Sequence, residues 1–167
     1  MTKTGLFFGS FNPVHNGHLT IAGFMAEFTD LKQVWMIVSP HNPLKPFGTL
    51  LQDYHRYRLV ELGIGDYKKV KPSKIEFELP KPSFTINTLT YLSEKYPTHE
   101  FALIMGSDNL ESLHKWKNYE AILEHYDIYI YERPGFNGGD LKDHPRVKFT
   151  KAPLMDISSS FIRQSIK

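Results

Sequence analysis

The 167-residue sequence contains no cysteine. This excludes disulfide bridges, thiolate zinc sites and cysteine nucleophiles. It also lacks a long apolar run or signal-peptide h-region, and no stretch approaches the about 20 residues that cross a bilayer. Positive and negative side chains are nearly balanced, because 20 Lys and Arg against 18 Asp and Glu leave a net charge of only +2. So small an excess of positive charge does not indicate a nucleic-acid or membrane partner. Since the sequence shows no signal-peptide pattern and no membrane span, the expected compartment is the cytoplasm.

The composition that is present, 41% hydrophobic and 23% charged, is typical of a globular protein. Apolar runs of strand length alternate with segments of helical spacing, which predicts βαβ units on a mostly parallel sheet. We expect one domain, residues 1–167. Strands are predicted at 4–8, 33–39, 100–106, 127–133 and 147–153, with an extended segment at 69–79. Helices are predicted at 17–28, 51–64, 83–96 and 158–167, and residues 121–126 are predicted to be the end of a further helix.

Four polar motifs follow predicted strands. They are "GSFNPVHNGH" after the first strand, "SPHNPLKP" after the second, "GSDNL" after 100–106 and "ISSSFIR" after the last. In open parallel sheets, ligands bind at the carboxyl ends of the strands, in the loops that follow. The four motifs are therefore predicted to form one site.

His15 and His18 lie three residues apart at the start of a predicted helix, with Gly17 between them. Taken alone, they fit surface histidines beside a cap made by Asn12 or Asn16, or a metal pair whose third ligand is not evident. A phosphate site is the third interpretation, because two imidazole donors would lie beside the unpaired N–H groups of a helix start. The turn has no G-x-G-x-x-G, which disfavours a dinucleotide cofactor.

The other motifs supply complementary groups, each with an ordinary alternative. Lys45 is either solvated or neutralises a triphosphate from a proline-stiffened loop. Asp108 is either a helix N-cap or an acceptor for ribose hydroxyls. The serines of "ISSSFIR" and Arg163 make either a capped helix with a surface arginine or a second phosphate cradle. Because all four groups follow strand ends, the phosphate interpretation of His15 and His18 is favoured.

The eleven-residue stretch "GSFNPVHNGHL" resembles the extended H-x-G-H signature of the nucleotidyltransferase superfamily. "ISSSFIR" is similar to the I-S-S-T/S-x-x-R motif by which adenylyltransferases bind the triphosphate of ATP. The resemblance implies a Rossmann-like, doubly wound α/β fold with helices on both faces of a mostly parallel sheet. It also implies transfer of a nucleotidyl group to a phosphate-bearing acceptor.

Two further segments, "PSFTINTL" and "NLESLHKWKNYEAIL", resemble bacterial nicotinate mononucleotide adenylyltransferases, in which the matching threonine (Thr85) and tryptophan (Trp116) surround the nicotinate ring. An exposed indole can stack on a pyridinium ring; the alternative is a half-buried tryptophan that anchors two helices. The sequence departs from the family pattern at Phe8, often a glycine, and at Asn12, often an aspartate. The family also continues for about one helix beyond the position where this chain ends.

The resemblance implies transfer of AMP from ATP to nicotinate mononucleotide, giving deamido-NAD and pyrophosphate. Mg²⁺ would be carried mainly by ATP, with no protein metal site. A homodimer is left open. The expected catalytic residues are His15, His18, Lys45 and Arg163. The expected ATP-binding residues are Gly9, Ser10, Phe11, His15, His18, Gly106, Asp108, Ile157, Ser158, Ser159 and Arg163. The expected mononucleotide-binding residues are Ser10, Lys45, Thr85, Asp108, Lys115 and Trp116.

Three alternatives share parts of this pattern. An adenylyltransferase of the same superfamily could act on nicotinamide mononucleotide or phosphopantetheine. A cytidylyltransferase also carries H-x-G-H, but the "SFT" and "HKW" segments favour a pyridine nucleotide. A non-catalytic nucleotide sensor would need Asp108 and the loop glycines without needing His15, His18, Lys45 and Arg163 together.

Overall fold

The computed structural model describes residues 1–153 of the chain. The helix predicted at 158–167 lies outside the described residues. The strands are β1 Thr2–Gly9, β2 Gln33–Val38, β3 Val70–Ser73, β4 His99–Gly106, β5 Ile128–Tyr131 and β6 Val147–Phe149. They form one sheet of order β3-β2-β1-β4-β5-β6, and each pairing of neighbours is parallel. The predicted parallel sheet is thus confirmed.

Helices cover both faces of this sheet. They are α1 Asn16–Phe28, α2 Asp53–Ile64, α3 Thr85–Lys95, α4 Ser107–Ser112 and α5 Tyr119–His125, with 3-10 turns at Ile75–Glu78, Leu113–Lys115 and Gly139–Leu141. The central strand β1 shows why two cores form. Leu6 packs with residues of α3, α4 and α5, whereas Phe7 packs with residues of α1 and α2. A central parallel strand is buried on both faces and therefore reads as a continuous apolar run. The doubly wound architecture is confirmed.

One predicted segment is only half correct. Residues 69–79 were expected to be extended, but the strand ends at Ser73 and a 3-10 turn follows. Ser73 accepts the Ile75 N–H through its hydroxyl at 3.3 Å, which favours the turn over a longer strand. Pro72 is tolerated because β3 is an edge strand, paired with β2 alone. The turn buries Glu76, which is 2% exposed.

The order of the strands creates the site edge of the molecule. The chain winds from β1 to β2 to β3, then returns to place β4 on the other side of β1. The loops that follow β1 and β4 therefore leave the sheet in opposite directions, and a crevice opens between them at the carboxyl edge. The "HNGH" and "GSDNL" motifs follow these two strands.

A cluster of ion pairs links three strands on the side of the sheet away from the site. The carboxylate of Asp127, just before β5, contacts Lys3 of β1 at 2.9 Å, Lys148 of β6 at 3.2 Å and Arg146 at 3.2 Å. Burial raises the pKa of Asp127, but hydrogen bonds from the three cations bring it down to about 2, below the ordinary 3.8. The cluster therefore favours the charged form and links strands distant in sequence.

Replacing Asp127 by Asn should lower the free energy of unfolding by about 2 kcal/mol at pH 7, because the variant leaves Lys3 without its nearest carboxylate. The folded-state pKa is depressed, so this stabilisation is complete above 3.8 and is lost as the pH falls towards about 2. Urea unfolding at several pH values should show the two proteins converging in acid. Asp143→Asn, at an exposed carboxylate, is the matched control, and equal stability of both variants at pH 7 would contradict the prediction.

Candidate active site

The two histidines of the first loop form the cap of α1. His15 is the N-cap residue, and its Nδ1 accepts the Gly17 N–H at 3.0 Å. The backbone N–H of His15 in turn donates to Nδ1 of His18 at 3.1 Å. The two rings stack with their centroids 3.7 Å apart. The alternative in which Asn12 or Asn16 caps the helix is wrong, because the imidazoles themselves satisfy the N–H groups.

These hydrogen bonds decide which ring nitrogen carries the proton. A neutral imidazole has one N–H and one acceptor nitrogen. Since both Nδ1 atoms accept backbone N–H groups, both protons reside on Nε2. Within residues 1–153, neither Nε2 has a hydrogen-bond partner. The start of α1 therefore presents two imidazole N–H donors together with the positive end of a 13-residue helix.

Both imidazoles are held neutral. Burial, followed by the charge of Arg133, lowers the pKa of His15. For His18, burial and then His15 and Arg133 lower the pKa to about 3. The pair is therefore uncharged near pH 7, and it acts through N–H donors.

Aromatic packing fixes the ring of His18. Its centroid lies 5.0 Å from that of Phe11 and 6.3 Å from that of Phe7, both edge-on. Phe11 is buried and has a φ of 47°, a left-handed conformation unusual for a bulky residue. Gly9 makes room for it, because a Cβ there would lie 3.0 Å from the Phe11 ring. Gly9 and Phe11 thus shape the loop and support His18.

A cleft opens beside the histidines, facing the segment after β5. It is lined by His15, Gly17, His18, Ile21, Tyr131, Glu132, Arg133, Pro134 and Pro153. Its volume of about 20 Å³ is close to the space of one water molecule.

Gly106 and Asp108 lie at the end of β4, next to this segment. The N-cap of α4 is Gly106, so the alternative that made Asp108 the cap is wrong. A Cβ on Gly106 would lie 2.5 Å from Oδ1 of Asp108 and 3.0 Å from Arg133 Cγ. The carboxylate of Asp108 and the side chain of Arg133 therefore both occupy space that a side chain at this position would need. The buried Ser107 hydroxyl accepts the Arg133 N–H at 2.8 Å and holds the two loops together.

Lys45 lies on an exposed loop whose backbone is tied down at both ends. His41 bonds the Lys45 carbonyl through Nε2 at 2.6 Å, and its own N–H donates to Asp53 at 3.0 Å. At the far end, Asn12 donates to the Thr49 carbonyl and accepts the Leu51 N–H, each at 3.0 Å. These bonds join the loop after β1 that carries the predicted phosphate-binding groups (residues 10–15, the phosphate loop) to the loop after β2 that carries Lys45 (residues 39–52, the lysine loop).

Thr85, Lys115 and Trp116 line a second cavity of about 270 Å³, together with Ser83, Phe84 and Lys117. Trp116 is half-buried against the core on the α3 side and also borders this cavity. The two interpretations of this tryptophan are thus compatible, since one face packs and another is open. Lys117 stands 4.7 Å from the Phe84 ring centroid and adds positive charge to the rim.

The structure groups some of the expected site residues and leaves others apart. His15 and His18 share one cleft, and Gly106 and Asp108 lie next to Arg133, which lines that cleft. Thr85, Lys115 and Trp116 share the second cavity. Lys45 and Ser10 are exposed, and in the part of the chain described here no contact joins Lys45 to the histidines. Ile157, Ser158, Ser159 and Arg163 lie outside the described residues.

Sequence reasoning missed two arginines. Arg133 follows β5, which ends at Tyr131, but the predicted strand ran to residue 133 and so included this arginine. With the strand end placed correctly, the rule on strand ends could have identified it. Arg56 is 0% exposed and donates to the carbonyls of Ser10 at 2.6 Å, Ser39 at 2.7 Å and Leu51 at 2.9 Å. Nothing in the helical pattern of 51–64 distinguishes it from a solvated arginine.

Across residues 1–153, no three His, Asp or Glu side chains are grouped to hold a metal ion. Nor does this part of the chain include a helix with the length and apolar character needed to span a bilayer. The site therefore consists of N–H donors, a carboxylate and cations.

Comparison with known proteins agrees with this geometry. The family model described as cytidylyltransferase-like matches residues 6–165. The chain belongs to the cytidylyltransferase-like family. Among curated members, it is 58% identical to a probable nicotinate-nucleotide adenylyltransferase of Flavobacterium johnsoniae, over 99% of this chain and 86% of that protein. It is 45% identical to a counterpart in Bacteroides fragilis, over 99% of this chain and 82% of the other. The resemblance in the sequence is confirmed.

Solved structures of the family share the fold. The nicotinic acid mononucleotide adenylyltransferase of Plasmodium falciparum, complexed with NaAD, matches with a TM-score of 0.80 over 98% of this chain and 83% of that one, at 19% identity. A putative nicotinate-nucleotide adenylyltransferase of Vibrio parahaemolyticus matches with a TM-score of 0.70 over 99% and 81%, at 22% identity.

The tautomers of the two histidines can be tested directly. Long-range ¹H–¹⁵N spectra at pH 7 should show protonated Nε2 and unprotonated Nδ1 for both, since both Nδ1 atoms accept N–H groups. At pH 5, His18 should remain neutral, because its pKa of about 3 lies well below that of a free imidazole. Assignment by His15→Asn and His18→Asn variants separates the signals. An Nδ1–H tautomer, or an imidazolium at His18 at pH 5, would refute this description.

Proposed function

We propose that this member of the cytidylyltransferase-like family transfers AMP from ATP to nicotinate mononucleotide, releasing pyrophosphate and deamido-NAD. The observation that carries the proposal is the pair of neutral Nε2–H donors on the first turn of α1. The curated relatives at 45–58% identity, named probable nicotinate-nucleotide adenylyltransferases, support the choice of acceptor. A sensor that only binds nucleotide would not need both donors at the phosphates.

In this proposal, His15 and His18 bind the α- and β-phosphates of ATP. The ribose hydroxyls donate to Asp108, and Gly106 leaves space for the sugar beside it. Backbone N–H groups near Ser10 and Phe11, in the loop after Gly9, add donors to the phosphates. Ile157, Ser158, Ser159 and Arg163 are assigned to the triphosphate from the sequence motif alone.

The mononucleotide is assigned to the second cavity. Its cationic pyridine ring would stack on Trp116, with Thr85 and Lys115 beside the ring. The cavity of about 270 Å³ lined by these three residues supports this assignment. Its phosphate would lie towards Ser10, Asp108 and Lys45, where it can reach the ATP.

The chemistry is a single in-line displacement. An oxygen of the acceptor phosphate forms a bond to the α-phosphorus of ATP, and the bond from that phosphorus to the β-bridging oxygen breaks. The acceptor phosphate has a second pKa of about 6, as in phosphoserine, so it is largely ionised and needs no general base. The residues position the reactants and stabilise charge. His18 donates to oxygen that gains charge in the transition state, and Lys45 and Arg163 neutralise the leaving pyrophosphate.

Mg²⁺ is proposed as a cofactor carried by ATP, where it would neutralise phosphate charge. In the described part of the chain no grouped carboxylates suit a resident ion, so phosphate oxygens and water would hold it. No step above depends on it. We further propose a single catalytic domain over residues 1–167, acting in the cytoplasm as a monomer or homodimer on small molecules, without nucleic acid or membrane.

The activity can be tested by following pyrophosphate release with ATP and one of three acceptors. Nicotinate mononucleotide should give the highest kcat/KM, with nicotinamide mononucleotide and phosphopantetheine lower by at least about tenfold, the scale on which one well-placed pocket contact discriminates. Mass spectrometry should identify deamido-NAD as the product. Highest efficiency with phosphopantetheine would instead support another adenylyltransferase of the superfamily, and no release with any acceptor would favour a sensor.

The role of His18 can be separated from its role in the helix cap. His18→Asn keeps an acceptor near the Nδ1 position and loses the Nε2–H donor, whereas His18→Gln retains an N–H near Nε2. Turnover of His18→Asn should fall by about 10²-fold, as when one oxyanion donor is removed, with His18→Gln less affected. Circular dichroism and melting curves establish that both variants fold. An unchanged kcat in folded His18→Asn would exclude His18 from the chemistry.

A further inference from the structure

A buried carboxylate lies close to both halves of the site and has no part in the mechanism above. Glu76, on the 3-10 turn after β3, is 2% exposed. It accepts a hydrogen bond of 2.7 Å from the hydroxyl of Thr88, itself 1% exposed. Thr88 belongs to α3, which begins at Thr85 in the wall of the second cavity. The carboxylate therefore contacts the helix turn that presents Thr85.

The same carboxylate also contacts the end of β2. The hydroxyl of Ser39 is near enough to Glu76 to lower its pKa. Ser39 follows β2 directly, its N–H donates to the Gly9 carbonyl at 2.9 Å, and its carbonyl accepts from Arg56. Arg56 also binds the Ser10 carbonyl. Glu76 thus lies between Ser39, which is bonded to the phosphate loop directly and through Arg56, and Thr88 in the first turn of α3.

We propose that Glu76 is a positioning residue for the mononucleotide half of the site, holding Thr85 and its helix turn in register with the phosphate loop through Thr88 and Ser39. The proposal rests on the proposed function for the identity of the mononucleotide. Glu76 itself touches no reacting atom.

The chemistry of the buried group explains why such a residue would position α3. A carboxylate out of water must keep its hydrogen bonds, because an unpaired buried acceptor is costly. Burial raises the pKa of Glu76, and the hydroxyls of Thr88 and Ser39 oppose that rise. Displacing the first turn of α3 would break the hydrogen bond from Thr88. The turn therefore has one preferred place relative to the end of β2.

Thr88→Val tests the inference, because valine keeps the shape of threonine and removes the hydroxyl. The KM for nicotinate mononucleotide should rise at least about fivefold, while the KM for ATP and kcat change less than twofold. Thr88→Ser restores the hydroxyl and should restore the KM. Thr90→Val is the matched control. Thr90 lies on the same helix, and within residues 1–153 its hydroxyl donates to the Ile86 carbonyl alone, at 2.9 Å. Removing that hydroxyl should leave both KM values unchanged.

A measurement without substrate keeps the inference separate from the proposed function. The amides of Asn87 and Thr88 donate to the Phe84 carbonyl, and in Thr88→Val their hydrogen exchange should speed up by about tenfold or more. Exchange at Leu103 in β4 should stay unchanged, which excludes a global loss of stability.

The outcomes separate the two claims. Wild-type protein that makes no deamido-NAD, with faster exchange in Thr88→Val, would refute the proposed function and leave the role of Glu76 in holding α3. Active protein whose Thr88→Val variant has an unchanged mononucleotide KM would overturn the positioning role. An equal rise in both KM values, with faster exchange at Leu103, would also overturn it, because the effect would then be general destabilisation.

Discussion

The site edge of this protein depends on one buried guanidinium. Arg56 is fully enclosed, and its donors are distributed over the carbonyls of Ser10, Ser39 and Leu51 and the carboxylate of Asp53. Burial lowers the pKa of Arg56 and the neighbouring Asp53 opposes that change, so the side chain remains a cation. A charge removed from water is tolerated only when its donors are met. Because these acceptors lie on the loops after β1 and β2, that requirement fixes the loops relative to one another.

The first loop shows how the same logic produces chemistry. Its two imidazoles close the start of α1 by accepting N–H groups, and this orients their remaining protons outwards. In each ring, Nδ1 therefore caps the helix, and Nε2 is left to donate a hydrogen bond to a ligand. Hydrogen bonding also explains the departure from the family pattern at Asn12. Asn12 uses its oxygen for the Leu51 N–H and its nitrogen for the Thr49 carbonyl. An ionised aspartate could not donate to that carbonyl, so the amide suits this loop.

Much of the fold could be predicted because apolar runs and helical spacing are local properties. The alternation of β1, α1 and β2 follows directly from them, as does the pairing of His15 with His18, which are one helical turn apart. The capping by the imidazoles could not be predicted, because it depends on the tautomer and the exact start of the helix. Arg56 and Glu76 were missed for a related reason. Their burial is set by elements distant in sequence, and no local pattern distinguishes a buried charge from a solvated one.

The neutrality of the histidine pair has a thermodynamic consequence. Burial and Arg133 keep both rings uncharged. A second proton could be placed only on Nδ1, the atom that accepts a backbone N–H at the start of α1. Charging either ring would therefore break a hydrogen bond of the helix cap, so the cap itself opposes the imidazolium form. A polyphosphate bound here would meet two neutral donors, and its binding would be accompanied by little uptake of protons from the solvent.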